Sequence, residues 1–402
     1  MKLRKPGLLT LIIIAIGAGI CCAALLPLWG IRIFITFNAL FSSFLGFFIP
    51  LLILGLVAPA IAEIGRTAGR MLLITAAIAY IFTYLSGLMA YFTAISTFPN
   101  LIGADSYIAD VSAGTEELAP YFTIAIQPLM DVVTALILAF VLGLGSAQLR
   151  TASLRNGLYD FKTIIMMVIN RVIIPLLPLY IFGIFLNLTA SGQAVPILIT
   201  FAKIIGVIFV MHVVLLVFQY CVAAVFSGRN PLKSLMTMMP AYFTALGTQS
   251  SAATIPVTLE RTMLMGVRKP VAEFVIPLCA TIHMSGSTLK IVSCALALMI
   301  TRGIPYDFPM FATFIGMLAI SIIAAPGVPG GAIMASLGVL SSVLGFTEAD
   351  NALMIALYIS MDSFGTACNV TGDGAIAQIV NRLYPSAEAS PLHVSEATDP
   401  QP

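Results

Sequence analysis

Two carboxylates, Asp362 and Asp373, lie in an apolar stretch near the C-terminal end of the chain. The run 361–373 reads MDSFGTACNVTGD, rich in hydroxyl groups and glycine. An ionised side chain is costly in lipid, so acids within a membrane segment face a protein interior and mark substrate or ion sites. On a continuous helix their eleven-residue spacing puts both acids on one face, about three turns apart. These residues are the first candidates for a binding site.

The composition places this chain in a membrane. Hydrophobic residues make up 60% of its 402 residues and charged residues 9%, against roughly 25% charged in a soluble domain. About 20 apolar residues span a bilayer as one helix. The eight segments that are long enough cover 7–29, 33–62, 71–98, 121–148, 163–190, 194–227, 270–300 and 349–381. We therefore predict an all-α polytopic membrane protein with eight transmembrane helices.

Two further apolar segments, 232–258 and 308–346, are repeatedly interrupted by polar residues, glycine and proline. Irregular backbone at membrane depth is stable only where protein or a water-filled cavity covers it. We read both segments as re-entrant hairpins. Each precedes a helix with a polar middle, 270–300 and 349–381 respectively. This pattern is typical of an inverted repeat whose broken helices surround a substrate and ion site at the membrane midplane.

Basic residues indicate the orientation in the bilayer. Lys and Arg occupy alternate loops and only Arg32 and Arg302 fall on the other side, which places both termini in the cytoplasm. The loop 99–119 carries acids and no Lys or Arg, as an external loop should. The apolar run at the start continues past any small-residue cleavage site, so we read it as a helix and not as a signal peptide. The tail 386–402 is predicted to be disordered.

Other functional classes have weak support. The six cysteines are scattered without metal-ligand spacing, so no metal or cofactor is expected, and a net charge of +2 gives no reason to expect a nucleic-acid partner. An intramembrane hydrolase is one alternative, with His283 and Ser287 as base and nucleophile on one helix face. No nucleophile elbow, zinc motif or phosphate loop supports it. A channel is another alternative, because hairpins can line a pore.

Three short motifs carry a resemblance to a known family. Residues 250–256 (SSAATIP) resemble the serine-rich tip of a first hairpin, 327–330 (GVPG) the tip of a second, and 362–373 the last-helix signature of the dicarboxylate/amino acid:cation symporter family. That family includes glutamate and neutral amino-acid transporters. The likeness covers nearly the whole chain in its order of eight helices and two hairpins. Taken together, the motifs favour a binding role for the two acids over a purely structural ion pair.

The resemblance implies a homotrimer in the bacterial inner membrane that works by an elevator motion. In each subunit a scaffold domain would hold helices 1–2 and 4–5, and a moving transport domain would hold helix 3 and the C-terminal core. The corresponding ranges are 1–70 and 99–190 for the scaffold, 71–98 and 191–385 for the transport domain, and 386–402 for the tail.

The resemblance also implies a set of site residues. Asp362 would hold the substrate α-amino group, and Thr366 and Asn369 would contact its amino and carboxylate end. The backbones at Ser251 and Val328 would hold the α-carboxylate. The implied substrate-binding set is Ser250, Ser251, Ser287, Val328, Gly331, Asp362, Gly365, Thr366 and Asn369. The implied cation-binding set is Cys279, Thr281, His283, Met284, Ile322, Ile323, Ala325, Asn369 and Asp373.

Two departures from the family pattern bear on the substrate. Acidic amino-acid carriers of the family have an arginine in the last helix, where this chain has Gly365, and the first-hairpin arginine of several bacterial relatives is Gln249 here. A bidentate partner for a side-chain carboxylate is therefore missing. We predict a neutral amino acid, and expect the space beside glycine to admit a larger side chain than aspartate. An acidic amino acid or a dicarboxylate is the alternative.

A further departure bears on the coupling ion. The family's Asn-Met-Asp-Gly-Thr in the penultimate helix reads His283-Met284-Ser285-Gly286-Ser287 here, so two ligating side chains are lost. The third-helix partners are lost too, with Thr75, Ile78 and Ala79 in their places. We predict that one of three sodium sites is absent, while Asp373 and Thr281 remain for the others. Sodium is the expected ion; proton coupling and exchange are alternatives.

Two basic residues near the altered motif invite a functional interpretation. The ammonium of Lys290, or a proton that it exchanges, would replace the missing cation. Alternatively, Lys290 snorkels or pairs with an acid such as Asp131. His283 would exchange a proton, or contribute only through its backbone. The second hairpin is also one residue shorter than in the family, which makes the contact at Gly331 uncertain.

Overall fold

A computed structural model describes residues 8–66, 70–102, 118–192, 194–325 and 330–384, and every regular element in these ranges is a helix. The predictions for Val328, both termini and the tail lie outside them. The α-helices are α1 Leu8–Ala23, α2 Leu28–Arg66, α3 Arg70–Ile102, α4 Val132–Gln148, α5 Ser153–Val168, α6 Ile174–Ala190, α7 Ala194–Ser227, α8 Pro231–Thr248, α9 Ser251–Leu264, α10 Lys269–Ile282, α11 Ser285–Arg302, α12 Phe308–Ser321, α13 Gly331–Leu344, α14 Glu348–Ser360 and α15 Asp362–Leu383. A π-helical turn, Ile169–Ile173, joins α5 to α6, and a 3-10 turn, Ile322–Ala324, follows α12.

Several of these helices are long and apolar enough to cross a membrane. In the described part of the chain the five that qualify are Leu28–Ala62, Arg70–Ile102, Ser153–Ala190, Leu198–Ser227 and Lys269–Arg302. The pair α14 and α15, bent by 64°, would make a sixth span. Shorter apolar helices are Thr10–Ala23, Thr134–Gln148, Phe308–Ser321 and Gly331–Leu344. The all-α polytopic class is confirmed, whereas eight spans with two hairpins stays a prediction.

Most of the helices pack in two groups, and α13 and α14 contact members of both. α1, α2, α4, α5 and α6 pack mainly on one another. In the second group α15 lies among α7, α8, α9, α10 and α11, and α3 packs along α11. Every residue from Ser285 to Thr301 of α11 is buried. The second group therefore provides a protein interior in which polar side chains are shielded from lipid.

The two interrupted segments form helix pairs, α8 with α9 and α12 with α13. In the first pair the chain turns at Gln249, which adopts a left-handed conformation with φ 53°. The hydroxyl of Ser250 then caps α9 by accepting a hydrogen bond from the backbone N–H of Ala253 at 3.3 Å. In the second pair α12 ends in the 3-10 turn and α13 begins at Gly331.

Both helices with a polar middle, predicted as 270–300 and 349–381, are broken. α10 ends at Ile282 and α11 begins at Ser285, with His283 in an extended conformation at φ −98° and ψ 108°. α14 ends at Ser360 and α15 begins at Asp362. A helix end leaves backbone N–H or C=O groups without intrahelical partners. Each break therefore places backbone polar groups that lack intrahelical partners next to α15, one near Asp373 and the other at Asp362.

Candidate functional site

The two acids that the sequence singled out are both buried on α15. Asp362 is 4% exposed and Asp373 is 1% exposed. Asp362 stands at the N-terminal end of α15, where the positive end of the helix dipole favours a carboxylate, and Asp373 lies near the middle of the helix. A buried carboxylate needs a charge partner or several hydrogen bonds. Their partners therefore define the site.

Asp362 accepts hydrogen bonds at both of its oxygens. Oδ1 accepts from Nζ of Lys290 at 3.0 Å. Oδ2 accepts from the backbone N–H of Gly330 at 2.7 Å. Gly330 directly precedes α13, so the second interrupted segment, α11 and α15 all meet at this carboxylate.

Lys290 is 0% exposed, and its ammonium has three partners. Besides Asp362 they are the carbonyl of Met361 at 3.4 Å and the ring of Tyr358, whose centroid lies 3.5 Å from Nζ. The face of an aromatic ring attracts a cation at such a distance. The sequence-based alternative that Lys290 pairs with an acid is confirmed at Asp362. The choice of Asp131 is wrong, because Asp131 is exposed and caps the start of α4.

The space beside Gly365 is filled by Lys290. A Cβ atom built on Gly365 would lie 2.8 Å from both Nζ and Cε of Lys290. The expectation that glycine leaves room for a larger substrate side chain is therefore corrected. A positive charge does lie beside position 365, but it comes from α11 and is already paired with Asp362.

Asn369 joins α15 to the start of α11. Its Oδ1 accepts from the backbone N–H of Gly286 at 2.8 Å, one of the N–H groups that the break leaves free. Its Nδ2 donates to Oγ of Ser287 at 3.1 Å. The hydroxyl of Tyr358 donates to the same Oγ at 3.0 Å. Tyr358 therefore links the Ser287–Asn369 group to the Lys290–Asp362 pair.

Asp373 has a basic partner of its own. Nδ1 of His283 lies 2.9 Å from Oδ1 of Asp373. On the other side of the ring, Nε2 lies 3.3 Å from Nε2 of Gln219, which also donates to Oγ of Ser285 at 3.0 Å. A Cβ on Gly372 would lie 2.7 Å from Cε1 of His283. Glycine at this position therefore makes room for the imidazole.

These contacts bear directly on the hydrolase alternative. His283 contacts Asp373 and Gln219, whereas Ser287 contacts Tyr358 and Asn369. Both ring nitrogens of His283 and the hydroxyl of Ser287 thus have other partners, and the proposed base and nucleophile are not paired with each other.

The other predicted cation ligands occupy neighbouring elements. α10 packs against both α15 and the 3-10 turn after α12. Cys279, Met284, Ile322 and Ala325 are buried and Ile323 is partly buried. Thr281 is exposed, and its hydroxyl donates to the carbonyl of Leu278 at 2.7 Å. α10 is therefore a neighbour of both the 3-10 turn and α15, while the hydroxyl of Thr281 is bonded within α10.

The remaining predicted substrate residues lie at the ends of the interrupted segments. Ser251 and Gly331 are buried at the starts of α9 and α13, and Thr366 is buried on α15. Nε2 of Gln249 donates to Oγ of Ser363 at 2.7 Å. This bond ties the turn between α8 and α9 to the residue that follows Asp362.

Several groups of this network were not predicted from the sequence. The side chains among them include Gln219, Tyr358 and Ser363. Gln219 offered a signal, since it is a lone amide in the apolar segment 194–227. Tyr358 and Ser363 offered none, because an aromatic and a serine in a membrane helix more often serve packing.

A buried site of paired charges, lined by broken helices within a bundle of apolar helices, is the architecture of a secondary transporter. The family comparison agrees with this class. The chain belongs to the Sodium:dicarboxylate symporter family, whose profile matches residues 8–383. The resemblance drawn from the sequence is confirmed, and the protein is a membrane transporter and not an enzyme.

Similar proteins include bacterial and mammalian amino-acid transporters. The serine/threonine transporter SstT of Acinetobacter baumannii is 28% identical over 385 residues, which are 92% of this chain and 95% of the relative. Human excitatory amino acid transporter 2 is 27% identical over 258 residues, 62% of this chain and 44% of that protein. Mouse neutral amino acid transporter B(0) is 29% identical over 185 residues, 44% of this chain and 33% of that protein.

Proposed function

We propose that this protein is a secondary active transporter that couples the uptake of a small neutral amino acid to sodium. The observation that carries the proposal is the buried carboxylate of Asp362, which already holds an ammonium group in a cage of carboxylate, carbonyl and aromatic ring. The same chemistry recognises the amino group of an amino acid. The names of the similar proteins, which specify serine/threonine and neutral amino acids, support this substrate class.

The charge balance of the site favours a neutral substrate. Asp362 and Lys290 form a pair without net charge, 3.0 Å apart. The pair balances a zwitterionic neutral amino acid but leaves the additional negative charge of an acidic side chain uncompensated. A carboxylate buried without a partner is strongly disfavoured. A substrate whose side chain carries no charge avoids that cost.

The mechanism that we propose follows the family. The two interrupted segments act as hairpins that close over the substrate, and the helix group around α15 moves past the group of α1, α2, α4, α5 and α6. Apart from α13 and α14, which contact both groups, packing is concentrated within each helix group, which supports such a motion. Asp373 and the backbone at the neighbouring helix ends bind sodium, three such subunits assemble, and the bacterial inner membrane is the location.

A second candidate substrate is an anion that has no amino group, such as a dicarboxylate. The position of Lys290 supports this candidate, because the lysine ammonium fills the position that a substrate amine would take. In that case Lys290 itself would bind the substrate carboxylate.

Uptake into proteoliposomes separates these candidates. The panel contains labelled neutral and acidic amino acids and a dicarboxylate, each with an inward sodium gradient, a proton gradient or neither. We expect sodium-driven accumulation of a neutral amino acid. It should be lost in Asp362→Asn and retained in Asp160→Asn, a matched change at an exposed acid on α5. Accumulation of the dicarboxylate alone would establish the second candidate, and uptake that never exceeds equilibrium would indicate a channel.

A further inference from the structure

Lys290 is among the largest fully buried side chains. An apolar side chain of similar volume would avoid the cost of desolvating a charge pair. The chain instead places the Lys290 ammonium on Asp362, the carboxylate that we assign to the substrate amine. It also has Gly365 beside Lys290, where any larger side chain would collide with the end of the lysine. Because the Lys290 ammonium is paired with the carboxylate that would bind the substrate amine, it points to a role in the transport cycle.

We propose that Lys290 is a tethered competitor for the substrate amine. Its ammonium occupies the amine subsite while the carrier is empty, and the amino group of the substrate displaces it from Asp362. This inference rests on the proposed function, since it requires a substrate that carries an amine. Lys290 then determines the affinity for the amino acid and whether the empty carrier needs a counter-ion to return.

The geometry supports displacement over simultaneous binding. Oδ1 of Asp362 is taken by Lys290 and Oδ2 by the backbone N–H of Gly330. Two ammonium groups on one buried carboxylate would also repel each other strongly. When Lys290 gives up Asp362, it keeps two partners within reach, the carbonyl of Met361 and the ring of Tyr358, and the carboxylate of the bound amino acid keeps the charge of the site balanced. Its flexible four-carbon stem permits such a movement without a shift of α11.

The tether also acts on the return step of the carrier. Without a cation, the empty site would hold the buried negative charge of Asp362, and moving that charge through the membrane is costly. Lys290 compensates this charge whenever the substrate amine is absent. The empty carrier can therefore return without a cation taken from solution.

The binding test compares wild type with Lys290→Met in lipid nanodiscs at fixed sodium concentration, using the amino acid found by the uptake screen. A competitor lowers the apparent affinity to the fraction of sites that it leaves free, so removal of one that occupies about nine-tenths of the sites or more should tighten binding by about tenfold or more. Lys203→Met is the matched control, because Lys203 is exposed on α7 and donates to the carbonyl of Leu101; it should bind as wild type does. Binding of the amino acid that is unchanged or weakened in Lys290→Met would overturn the proposal.

The transport test compares net uptake with exchange of internal for external amino acid. In Lys290→Met we expect exchange to persist, since the loaded carrier pairs Asp362 with the substrate ammonium and carries the co-transported sodium as its net counter-charge. Net uptake should fall at least about tenfold, because the empty carrier would return with an uncompensated carboxylate. A structural role for Lys290 would lower both rates together, and that result would overturn the proposal.

Gly365→Ala provides a second variant that keeps every charge. Its Cβ would push the flexible end of Lys290 away from Asp362, so amino-acid binding should tighten as in Lys290→Met, though less. This variant decides the matter if Lys290→Met does not fold. If wild type binds no amino acid at all, the proposed function fails; if it binds one and neither variant binds it more tightly, only the tether fails.

Discussion

Nδ1 of His283 lies 2.9 Å from Oδ1 of Asp373, and eleven residues earlier on α15 the carboxylate of Asp362 is paired with Lys290. Both acids belong to one helix, and both partners belong to the segment that contains α10 and α11. The sequence predicted that each acid would meet a cation from outside the protein. In the structure each acid has an internal partner, which such a cation must displace or share. The two pairs can therefore be examined one at a time by single substitutions.

Asp362→Asn should destabilise the protein as well as abolish uptake. It leaves the Lys290 ammonium buried without its counter-charge, which costs about 3–5 kcal/mol when a buried ion pair is broken on one side. Adding Lys290→Met should restore most of the stability, because replacing both partners of a buried pair is often nearly neutral. Uptake should stay lost in the double variant. Thermal unfolding in detergent measures this, and a single variant as stable as wild type would contradict it.

The bond between Gln249 and Ser363 should contribute to substrate affinity. It connects the turn between α8 and α9 to the start of α15 at 2.7 Å. A neutral hydrogen bond contributes about 0.5–1.5 kcal/mol, so Gln249→Ala should raise the KM for uptake by roughly two- to tenfold. Ser363→Ala should have a similar effect, and the double variant should be no worse than either. Strictly additive losses in KM would show that the two side chains act independently.

The broad organisation of the site could be predicted because it depends on sequence patterns with a clear physical cause. Acids and glycines in apolar segments pointed to α15, and polar interruptions pointed to the α8–α9 and α12–α13 pairs. Asn369 and Ser287 came from the family motif, and the structure joins them by a hydrogen bond. These features are local in sequence, so they can be recognised without knowing how the helices pack.

The partners of the acids could not be predicted, because they depend on how helices cross. Lys290 and Asp362 are 72 positions apart and His283 and Asp373 are 90 apart. The sequence alone allowed Lys290 to pair with Asp131 as well as with any other acid. The same limit applies to Gly365, whose missing side chain suggested empty space. Only the crossing of α11 and α15 shows that Lys290 fills that space.

Tyr358 should act through two separable parts. Its hydroxyl donates to Ser287 at 3.0 Å, and its ring lies against the Lys290 ammonium at 3.5 Å. Tyr358→Phe removes only the hydroxyl, so affinity for the amino acid should fall modestly, by about two- to tenfold for one hydrogen bond. Tyr358→Leu also removes the cation–π contact, which contributes about 2 kcal/mol when desolvated. Its melting temperature should therefore be lower than that of Tyr358→Phe, and equal stability would argue against the ring contact.

Asp373 and His283 should affect the response to sodium to different degrees. Asp373 supplies a full negative charge at a buried position, and a hard cation depends on carboxylate and carbonyl oxygens. Asp373→Asn should therefore raise the sodium concentration for half-maximal uptake by about tenfold or more, since a charge-assisted contact is roughly twice as strong as a neutral one. His283→Phe removes only the hydrogen-bond partner of Asp373, so its shift should be smaller.

Sodium-dependent uptake at fixed amino-acid concentration measures both shifts, with Asp160→Asn as the control at an exposed acid. The amino-acid KM at saturating sodium should stay close to wild type in both variants, because the Asp362 pair is left intact. An unchanged sodium response in Asp373→Asn would remove Asp373 from the cation site. If a proton gradient alone drives uptake in wild type and His283→Phe abolishes that uptake, the coupling ion is the proton and the imidazole of His283 is the group that binds it.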